Sequence, residues 1–412
     1  MMKKYFLCAS LVTLNFLSYS QNNVNVGQLT GAADYLNVIT TAVPFLEIAP
    51  DAGAGGRGDA GVSTPADANS IHWNPAKMAF ADKEMGIGIS YTPWLRALVP
   101  DINLAYLSGY KKLGDNQAIA MSLLYFSLGN IQFTDNAGNE TGNFSPNEFA
   151  IDVAYSRKLA EEFSGGIALR YIYSNLTGGF NVQGQAGSAH SGTSVAADIS
   201  MFYNHEMDIS GKKSVFSAGL DISNIGAKMS YTQTGERDFI PTMLKIGPCL
   251  KMNLDEYNQI LFTIDIDKLL VPTPPIYQLV NGQPAIDTLT GKKIIAAGQD
   301  PNVSVPQGMI QSFYDAPGGF KEQIKEFDIA TGFEYWYDKQ FAFRTGYFYE
   351  PTSKGGRQFF TVGAGLKYNV FGLDFAYLIP TTQRNPLENT LRFTLLFDFD
   401  SLSKDKAATT TN

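Results

Sequence analysis

Few residues of this sequence have the types and spacing that catalysis requires. The run Gly53–Gly58, Gly-Ala-Gly-Gly-Arg-Gly, matches the G-x-G-x-x-G pattern of dinucleotide-binding loops, in which glycine lets the backbone approach a pyrophosphate. That chemistry also needs a preceding strand, a following helix and a βαβ unit, and the surrounding sequence predicts none of these. We therefore interpret the glycines as positions of unusual backbone conformation.

The three histidines, His72, His190 and His205, lack the spacing of metal ligands, and no cysteine stands where it could join them. His190 and Ser191 would provide the base and nucleophile of a hydrolase such as an outer-membrane lipid deacylase. Such pairs are defined by geometry, which adjacent loop residues rarely satisfy. We expect no enzyme, no cofactor and no metal site.

Acidic and basic residues recur together on one face of the predicted strands. The acids are Asp198, Asp221, Asp265, Asp328 and Asp374, and the bases are Arg170, Arg344, Lys367 and Arg392. Paired carboxylates can carry out acid–base catalysis. Because both signs of charge are present, we favour hydration of an interior or ion pairing, with Arg57 as a further partner.

The strands that position these residues are predicted from a two-residue alternation. In 326–337 the residues on one face are Phe327, Ile329, Thr331, Phe333, Tyr335 and Tyr337, and those on the other are Glu326, Asp328, Ala330, Gly332 and Glu334. One face is mostly apolar and the other carries charge. The same pattern recurs along the chain after residue 84.

The alternation predicts an all-β fold, a transmembrane antiparallel β-barrel of about fourteen strands, since single-chain bacterial barrels have an even number of strands. The predicted strands are Met85–Pro93, Asp101–Lys112, Gln117–Phe133, Glu148–Leu159, Ser164–Asn175, Thr193–Glu206, Ser214–Asn224, Pro241–Asn253, Gln259–Leu270, Lys325–Tyr337, Gln340–Tyr349, Gln358–Val370, Gly372–Ile379 and Asn389–Phe399. Short connections alternate with long ones, as in outer-membrane barrels, whereas a soluble sandwich gives no reason for that alternation.

Composition agrees with a barrel in a membrane. The 412 residues include 13% aromatic but only 17% charged side chains, which is little charge for a soluble surface. Mean hydropathy is −0.09, and no apolar run after the first residues is long enough for a membrane helix. Alternating strands give this weak hydropathy because each also carries polar residues.

The N-terminus predicts a secretory signal peptide over residues 1–20, with a basic start, an apolar core and the small-x-small site Ser18-Tyr19-Ser20. Cleavage would remove Cys8 and leave Cys249, so no internal disulfide is possible. It would leave 29 basic against 39 acidic residues, about −10, which argues against nucleic acid as a partner.

Besides residues 46–84, three long segments lie outside the predicted strands and the signal peptide. We expect residues 21–45 to be a periplasmic lead-in with a short helix around Asp34–Val43, and residues 400–412 to be a polar tail. The longest loop, 271–324, is rich in proline and too long for a plain hairpin connection. We interpret this loop as an external binding surface that includes Tyr277, Phe313 and Tyr314, and a mobile cap is the alternative.

Pro248 interrupts an otherwise regular strand. Proline lacks a backbone N–H, so within a sheet it is expected at a bulge or an edge. We expect a tolerated bulge, with a local kink or lateral opening as the alternative.

Residues 46–84 read as neither strand nor plain linker. Glycines such as Gly58 and Gly61 permit backbone conformations that other residues avoid. A polar and aromatic cluster suited to a compact turn follows: Asp67, Asn69, Trp73, Asn74 and Pro75. We predict that the segment is a plug inside the barrel, where lumen side chains and water satisfy an irregular backbone.

These residues also carry a family resemblance. The runs Gly58-Asp59-Ala60-Gly61-Val62, Asp67-Ala68-Asn69-Ser70 and Trp73-Asn74-Pro75-Ala76 resemble the N-terminal signature of FadL-like outer-membrane barrels. Together with SYTPWLRALVPDINLAYLSGY at 90–110, they make nearly the whole mature chain similar to the PorV (LptO) family of the type IX secretion system. The polar tail after Phe399 is a departure from barrels that end on an aromatic residue.

The resemblance implies a shuttle protein. A PorV-like barrel docks beside a translocon barrel of the SprA or Sov type, binds the C-terminal signal domain of cargo through extracellular loops, and delivers it to a PorU-type attachment complex. The implied location is the bacterial outer membrane, among its lipids and lipopolysaccharide, with the loops at the cell surface. The alternative is a FadL-like channel for hydrophobic small molecules, which needs an apolar lumen pocket and an exit through the wall.

Overall fold

The computed structural model describes residues 36–95, 99, 101–134, 140–176, 190–232, 237–382 and 385–400. The predicted signal peptide, residues 21–35 of the lead-in and residues 401–412 of the tail lie outside these ranges. The strands within them are β1 Met85–Pro93, β2 Ile102–Lys112, β3 Gln117–Leu128, β4 Ile131–Thr134, β5 Glu140–Phe144, β6 Asn147–Ala160, β7 Phe163–Asn175, β8 Gly192–Ile209, β9 Lys212–Gly226, β10 Met243–Asn253, β11 Asn258–Leu269, β12 Ile276–Tyr277, β13 Leu279–Val280, β14 Gln283–Pro284, β15 Ile295–Ala297, β16 Phe327–Tyr337, β17 Phe341–Tyr349, β18 Gln358–Tyr368, β19 Phe371–Pro380 and β20 Leu391–Phe399.

Fourteen of these strands form one closed antiparallel barrel, in the order β1, β2, β3, β6 to β11 and β16 to β20. The ring closes where β1 pairs with β20, with Met85 opposite Phe399 and Tyr91 opposite Phe393. The predicted fold class and strand number are confirmed. No helix in the described part of the chain is long and apolar enough to cross a membrane.

The two-residue alternation places apolar side chains on the outer wall and polar ones inside. In β16, Phe333 is 37% exposed on the outside, while its neighbour Glu334 is 6% exposed and points inward. Polar residues such as Asp152 and Arg170 face inward in several strands, among small residues such as Ala150. In β2 and β3 the inward side chains are mainly apolar, as at Leu104 and Phe126, and they belong to the buried apolar core.

All but one of the predicted strands begin and end within three residues of the observed strands. The exception is Gln117–Phe133, because β3 ends at Leu128 and Ile131–Thr134 forms a separate hairpin with Glu140–Phe144. Gly129 ends the strand by adopting a φ of 81°, in the left-handed region that favours glycine. The N–H of Asn130, the residue after Gly129, then donates to Asp101 Oδ2 at 2.9 Å.

The bulge expected at Pro248 is wrong. Pro248 pairs with Ala218 of β9, and pairing with β11 pauses at Gly247 and Pro248 but resumes in the same register. A Cβ atom on Gly247 would lie 2.0 Å from the carbonyl oxygen of Ile264, so the neighbouring glycine keeps the two strands close where the proline N–H is missing.

The connections divide the barrel into a short-turn end and a long-loop end. Turns such as 113–116, 161–162, 210–211 and 254–257 lie at the short-turn end. The longest connection, between β11 and β16, lies at the other end and is itself folded. It contains the paired strands β12–β15 and β13–β14 and the short helices Val305–Gln311 and Phe320–Ile324.

The described N-terminal residues lie at the long-loop end. The N–H of Asn37 donates to Ser353 at 2.9 Å, and the N–H of Ala42 donates to Phe239 at 2.8 Å. Since short turns of outer-membrane barrels lie in the periplasm, the expected periplasmic lead-in should lie at the short-turn end, and residues 37–45 do not. The helix expected around Asp34–Val43 is also wrong over 36–43, since the only helical turn here is the 3-10 helix Pro44–Glu47 that begins at the proline.

Candidate functional site

The chain between Asp51 and Phe80 crosses the barrel interior from wall to wall. Helix Ala52–Gly56 packs against β18, β19 and β20, whereas the 3-10 helix Pro75–Phe80 packs against β6, β7 and β8 on the opposite side. Most residues of both helices are buried. The segment therefore occupies the cross-section of the barrel.

Trp73 joins the beginning of this segment to its middle. Its indole Nε1 donates to Asp51 Oδ2 at 2.7 Å, while Asp51 Oδ1 accepts the N–H of Ala54 at 2.8 Å and caps helix Ala52–Gly56. A Cβ atom on Gly61 would lie 2.5 Å from Cδ2 of the Trp73 ring. Only glycine fits beneath the indole without displacing it.

Asn74 ties the segment to itself and to the wall. Its Nδ2 donates to the carbonyl oxygen of Val62 at 2.9 Å and to that of Met201 in β8 at 3.0 Å, and its Oδ1 accepts the N–H of Ala76 at 3.0 Å. Pro75 begins the 3-10 helix, at a position where its missing N–H costs no hydrogen bond.

Asp67 and Asn69 form a local turn that contacts β2. Asp67 Oδ1 accepts the N–H of Asn69 at 3.0 Å and the hydroxyl of Ser70 at 3.1 Å. Asn69 Oδ1 in turn accepts the Ser108 hydroxyl at 2.9 Å. The structure thus brings the sequence-predicted residues from Gly58 to Pro75 together against the inner wall.

Gly58 lies where the backbone of the segment meets the backbone of the wall. Its φ is 72°, in the left-handed region that favours glycine. An added Cβ atom would lie 2.6 Å from the Tyr347 nitrogen and 2.8 Å from the Thr331 oxygen, so a larger residue does not fit. The facing wall positions are also glycines: a Cβ on Gly346 would lie 2.2 Å from Arg57, and one on Gly332 would lie 2.6 Å from it.

The wall glycines are functional candidates that the sequence analysis missed. Gly219 and Gly166 make the same kind of close approach, to Val62 and Ala76 respectively. Glycine at an inward strand position is the sequence feature that could have identified them, since glycine weakens a strand unless another backbone comes close.

Inward polar side chains satisfy the irregular backbone of the segment. Asp265 Oδ2 accepts the N–H groups of Gly61 at 2.6 Å and Val62 at 2.8 Å. The Thr361 hydroxyl bonds both the N–H of Gly58 and the carbonyl of Gly56 at 3.0 Å. A non-repetitive chain can stay buried because its polar groups are paired in this way.

Ion pairs join the segment to the wall and brace the wall itself. Arg57 lies 2.7 Å from Glu334, and Arg344 contacts both Glu334 at 2.5 Å and Asp374 at 2.6 Å. Further pairs are Arg392 with Asp59, Arg170 with Asp152 and Asp198, and Lys367 with Asp398.

Two predicted acids, Asp328 and Asp221, do not pair with any of the predicted bases. Asp328 lies 3.8 Å from Arg357. Both carboxylate oxygens of Asp221 are buried and have no hydrogen-bond partner among the described residues. No two of the five predicted aspartates are joined by a hydrogen bond in the described chain, so the arrangement is one of ion pairs and backbone acceptors.

The histidines lie far apart in the fold. His72 packs between Trp73 and Tyr106 inside the barrel, and His205 lies 2.7 Å from Glu162 at the short-turn end. His190 Nδ1 contacts the carbonyl oxygen of Ser191 at 2.9 Å. In the part of the chain that the structure describes, no three metal-ligating side chains cluster.

The long loop presents apolar side chains at its surface. Phe313 is 46% exposed and Tyr314 is 51% exposed, and Ile310 and Phe320, near them in the sequence, are 66% and 77% exposed. Tyr277 is less accessible, and Lys293 Nζ lies 5.3 Å from its ring centre. Two of the three predicted loop aromatics are therefore exposed.

Buried polar contacts anchor this loop on the barrel. Glu326 contacts Lys268 at 2.8 Å and Lys354 at 3.0 Å. Asp315 Oδ2 accepts the N–H of Thr273 at 2.9 Å, and burial raises the pKa of Asp315 to about 6. The exposed surface thus rests on a fixed base.

Comparison with known families decides which protein family has this architecture. The family model of the type IX secretion system protein PorV matches residues 31–276, which is more than half of the chain. The chain belongs to the PorV family. It is thus a type IX secretion protein of the outer membrane, and the resemblance noted from the motifs at Gly58–Ala76 is confirmed.

Solved structures of similar shape are distant in sequence. The Pseudomonas putida toluene transporter TodX is 11% identical with a TM-score of 0.45, over 83% of this chain and 95% of that one. A Pseudomonas aeruginosa FadL homologue is 12% identical with a TM-score of 0.43, over 88% and 100%. The Ralstonia pickettii toluene transporter TbuX is 9% identical with a TM-score of 0.46, over 86% and 99%. No curated protein matches this chain.

Proposed function

We propose that this PorV-family chain is an outer-membrane shuttle that binds the C-terminal signal domain of secreted cargo at the translocon barrel and delivers it to a PorU-type attachment complex at the cell surface. The observation that carries this proposal is the exposure of four large apolar side chains, Ile310, Phe313, Tyr314 and Phe320, in the loop at the long-loop end of a filled barrel. Exposed apolar side chains that form a patch are typical of a protein–protein contact.

We place the long-loop end at the cell surface, because outer-membrane barrels carry long loops outside and short turns in the periplasm. Cargo would then meet the loop surface after crossing the membrane elsewhere. Residues 46–84 act as a plug in this proposal, since the ion pairs and backbone contacts described above leave no wide path for a protein.

The alternative, a channel for hydrophobic small molecules, is less well supported. The interior around the segment holds charged pairs such as Arg57–Glu334 and Arg344–Asp374, which an apolar solute would have to displace. Transport of a hydrophobic solute into cells, absent from a deletion strain, would favour this alternative.

Three substitutions at the loop surface test the shuttle proposal: Ile310→Ser, Phe313→Ser and Phe320→Ser in one variant. We expect the barrel to assemble and the cargo recovered with it from solubilised outer membranes to fall, because the contact loses its apolar side chains. The control variant makes the same change at three exposed residues of the short-turn end, Leu113, Leu159 and Tyr257. Unchanged cargo recovery in the loop variant, or an equal fall in the control, would contradict the proposal.

The plug proposal has a separate test. A Trp73→Ala/Asn74→Ala variant removes the indole bond to Asp51 and the amide bonds to Val62 and Met201. We expect larger single-channel conductance in planar bilayers, because the segment loses contacts with itself and with the wall. Conductance equal to that of the parent protein would count against a plug.

A further inference from the structure

The outer wall has a groove of about 480 Å³ over β1, β2 and β3, close to the short-turn end. At its centre lies Gly109, which faces outward in β2 between Ile87 of β1 and Met121 of β3. The outward neighbours Leu107 and Ile119 are apolar as well. Because glycine has no side chain, the apolar wall is one side chain short at this point.

One basic side chain, Lys111, lines the groove at its short-turn edge, and a second, Arg157, lies beyond the lining on β6. Lys111 is the next outward residue after Gly109, opposite Met85 and Ile119. Arg157 lies on the far side of β3, opposite Gln117. Both are exposed, and neither forms an ion pair with another residue that the structure describes.

We infer that this groove binds an anionic glycerophospholipid, with an acyl chain over Gly109 and the phosphate between Lys111 and Arg157. The groove faces the hydrocarbon region of the membrane, where no water is present to fill it, so an acyl chain is the component that occupies it. Basic side chains at the edge of such a surface extend toward the headgroups and attract anionic lipid.

The alternative occupant is a side chain of a neighbouring membrane protein. Such a side chain would fill the space over Gly109 but would leave Lys111 and Arg157 without an anion. The paired arrangement of an apolar groove and two cations at one end matches the two parts of a single lipid molecule.

Native mass spectrometry of the intact purified barrel tests this inference with dioleoyl phosphatidylglycerol as the probe and dioleoyl phosphatidylethanolamine as the zwitterionic comparison. We expect one phosphatidylglycerol to bind more tightly than any phosphatidylethanolamine. Lys111→Gln and Arg157→Gln should each weaken that binding by about fivefold, the effect of one surface cation. Lys213→Gln, at an exposed position on β9, is the control and should change nothing.

A second pair of variants tests the groove itself. Met121→Trp narrows it from one side, and Met121 is 60% exposed, so the larger ring is accommodated. Met201→Trp makes the same change on the outer wall of β8, where Met201 is 47% exposed. We expect phosphatidylglycerol binding to fall in the first variant only.

Equal retention of both lipids, or equal loss in Met121→Trp and Met201→Trp, would overturn the inference. If Met121→Trp leaves lipid binding unchanged but releases a second barrel protein from the solubilised complex, the groove is a protein contact and the lipid assignment is wrong.

Discussion

Trp73 covers Gly61 so closely that a β-carbon on Gly61 would lie 2.5 Å from the indole ring. The same glycine donates its N–H to Asp265 of the wall at 2.6 Å. The indole and the carboxylate therefore hold one residue from two sides, and this residue links the interior segment to the barrel.

Gly61→Ala should loosen the interior segment. The added methyl group must push the indole away and break its bond to Asp51, so we expect faster proteolysis within 46–84 and higher conductance in planar bilayers. Gly56→Ala is the matched control, because its Cβ would come no closer than 3.2 Å to another atom, and its nearest neighbours are Arg344 and Gly363 instead of Trp73 and Asp51. If residues 46–84 resist proteolysis in Gly61→Ala as well as in the parent protein, the close contact between Gly61 and Trp73 is dispensable.

Glu334→Ala should destabilise the protein more than Arg57→Ala. Loss of Glu334 leaves Arg57 without its partner and Arg344 with Asp374 alone, whereas Glu334 keeps Arg344 when Arg57 is removed. Breaking such a buried pair costs about 3–5 kcal/mol of unfolding free energy. Urea unfolding in lipid vesicles measures the difference.

The control for this comparison is Lys83→Ala. Lys83 pairs with Asp400 at the exposed short-turn end, where the loss should be under about 1 kcal/mol. If Glu334→Ala and Lys83→Ala lower the unfolding free energy equally, the buried ion pairs do not stabilise the barrel more than an exposed one.

The long loop should become less protected from hydrogen exchange as the pH rises from about 4 to about 6. Burial raises the pKa of Asp315 above its ordinary value of 3.8 to about 6, so the folded loop favours the protonated carboxyl. The stabilisation is complete below about 4 and is lost as the carboxyl ionises. Hydrogen exchange of the Thr273 amide, corrected for the intrinsic pH dependence of exchange, measures this change.

Asp315→Asn should remove the pH dependence, because the amide oxygen can still accept the Thr273 N–H while the charge is absent. If the protection of the Thr273 amide from exchange changes with pH as much in Asp315→Asn as in the parent protein, another group causes the pH dependence.

Cysteine labelling should place residue 36 on the outside of the cell. Leu36 is 69% exposed, and its neighbour Asn37 bonds Glu322 of the long loop at 2.9 Å. We expect Leu36→Cys to react with a membrane-impermeant maleimide on intact cells. Leu113→Cys, in a short turn, should react only after the outer membrane is opened. Native Cys249 is 2% exposed and should give little background.

The strands could be predicted because lipid and lumen impose opposite preferences on alternate residues. Phe333 and Glu334 in β16 show this directly, and the strand positions, their number and the barrel class all follow from that contrast. The end of β3 could not be predicted, since residues 131–133 continue the alternation although Gly129 has already turned the chain.

The interior contacts were only partly predictable. Trp73, Asn74 and the acids stand out by residue type, but of the five predicted aspartates only Asp198 and Asp374 pair with predicted bases. The wall glycines Gly332 and Gly346 stand out only as glycines at inward strand positions, and that feature does not show which backbone they meet. The direction of the N-terminal chain was also hidden, since residues 37–45 carry no periodicity that distinguishes one end of a barrel from the other.

The path of the chain encloses the interior segment within the ring. Residues 37–45 lie at one end of the ring, β1 begins at the other, and the seam between Met85 and Phe399 is formed by the first and last strands. The chain between them therefore passes through the bore, and the hydrogen bonds of the seam help to enclose it. Sideways release of residues 46–84 would require this seam, or another pair of neighbouring strands, to separate.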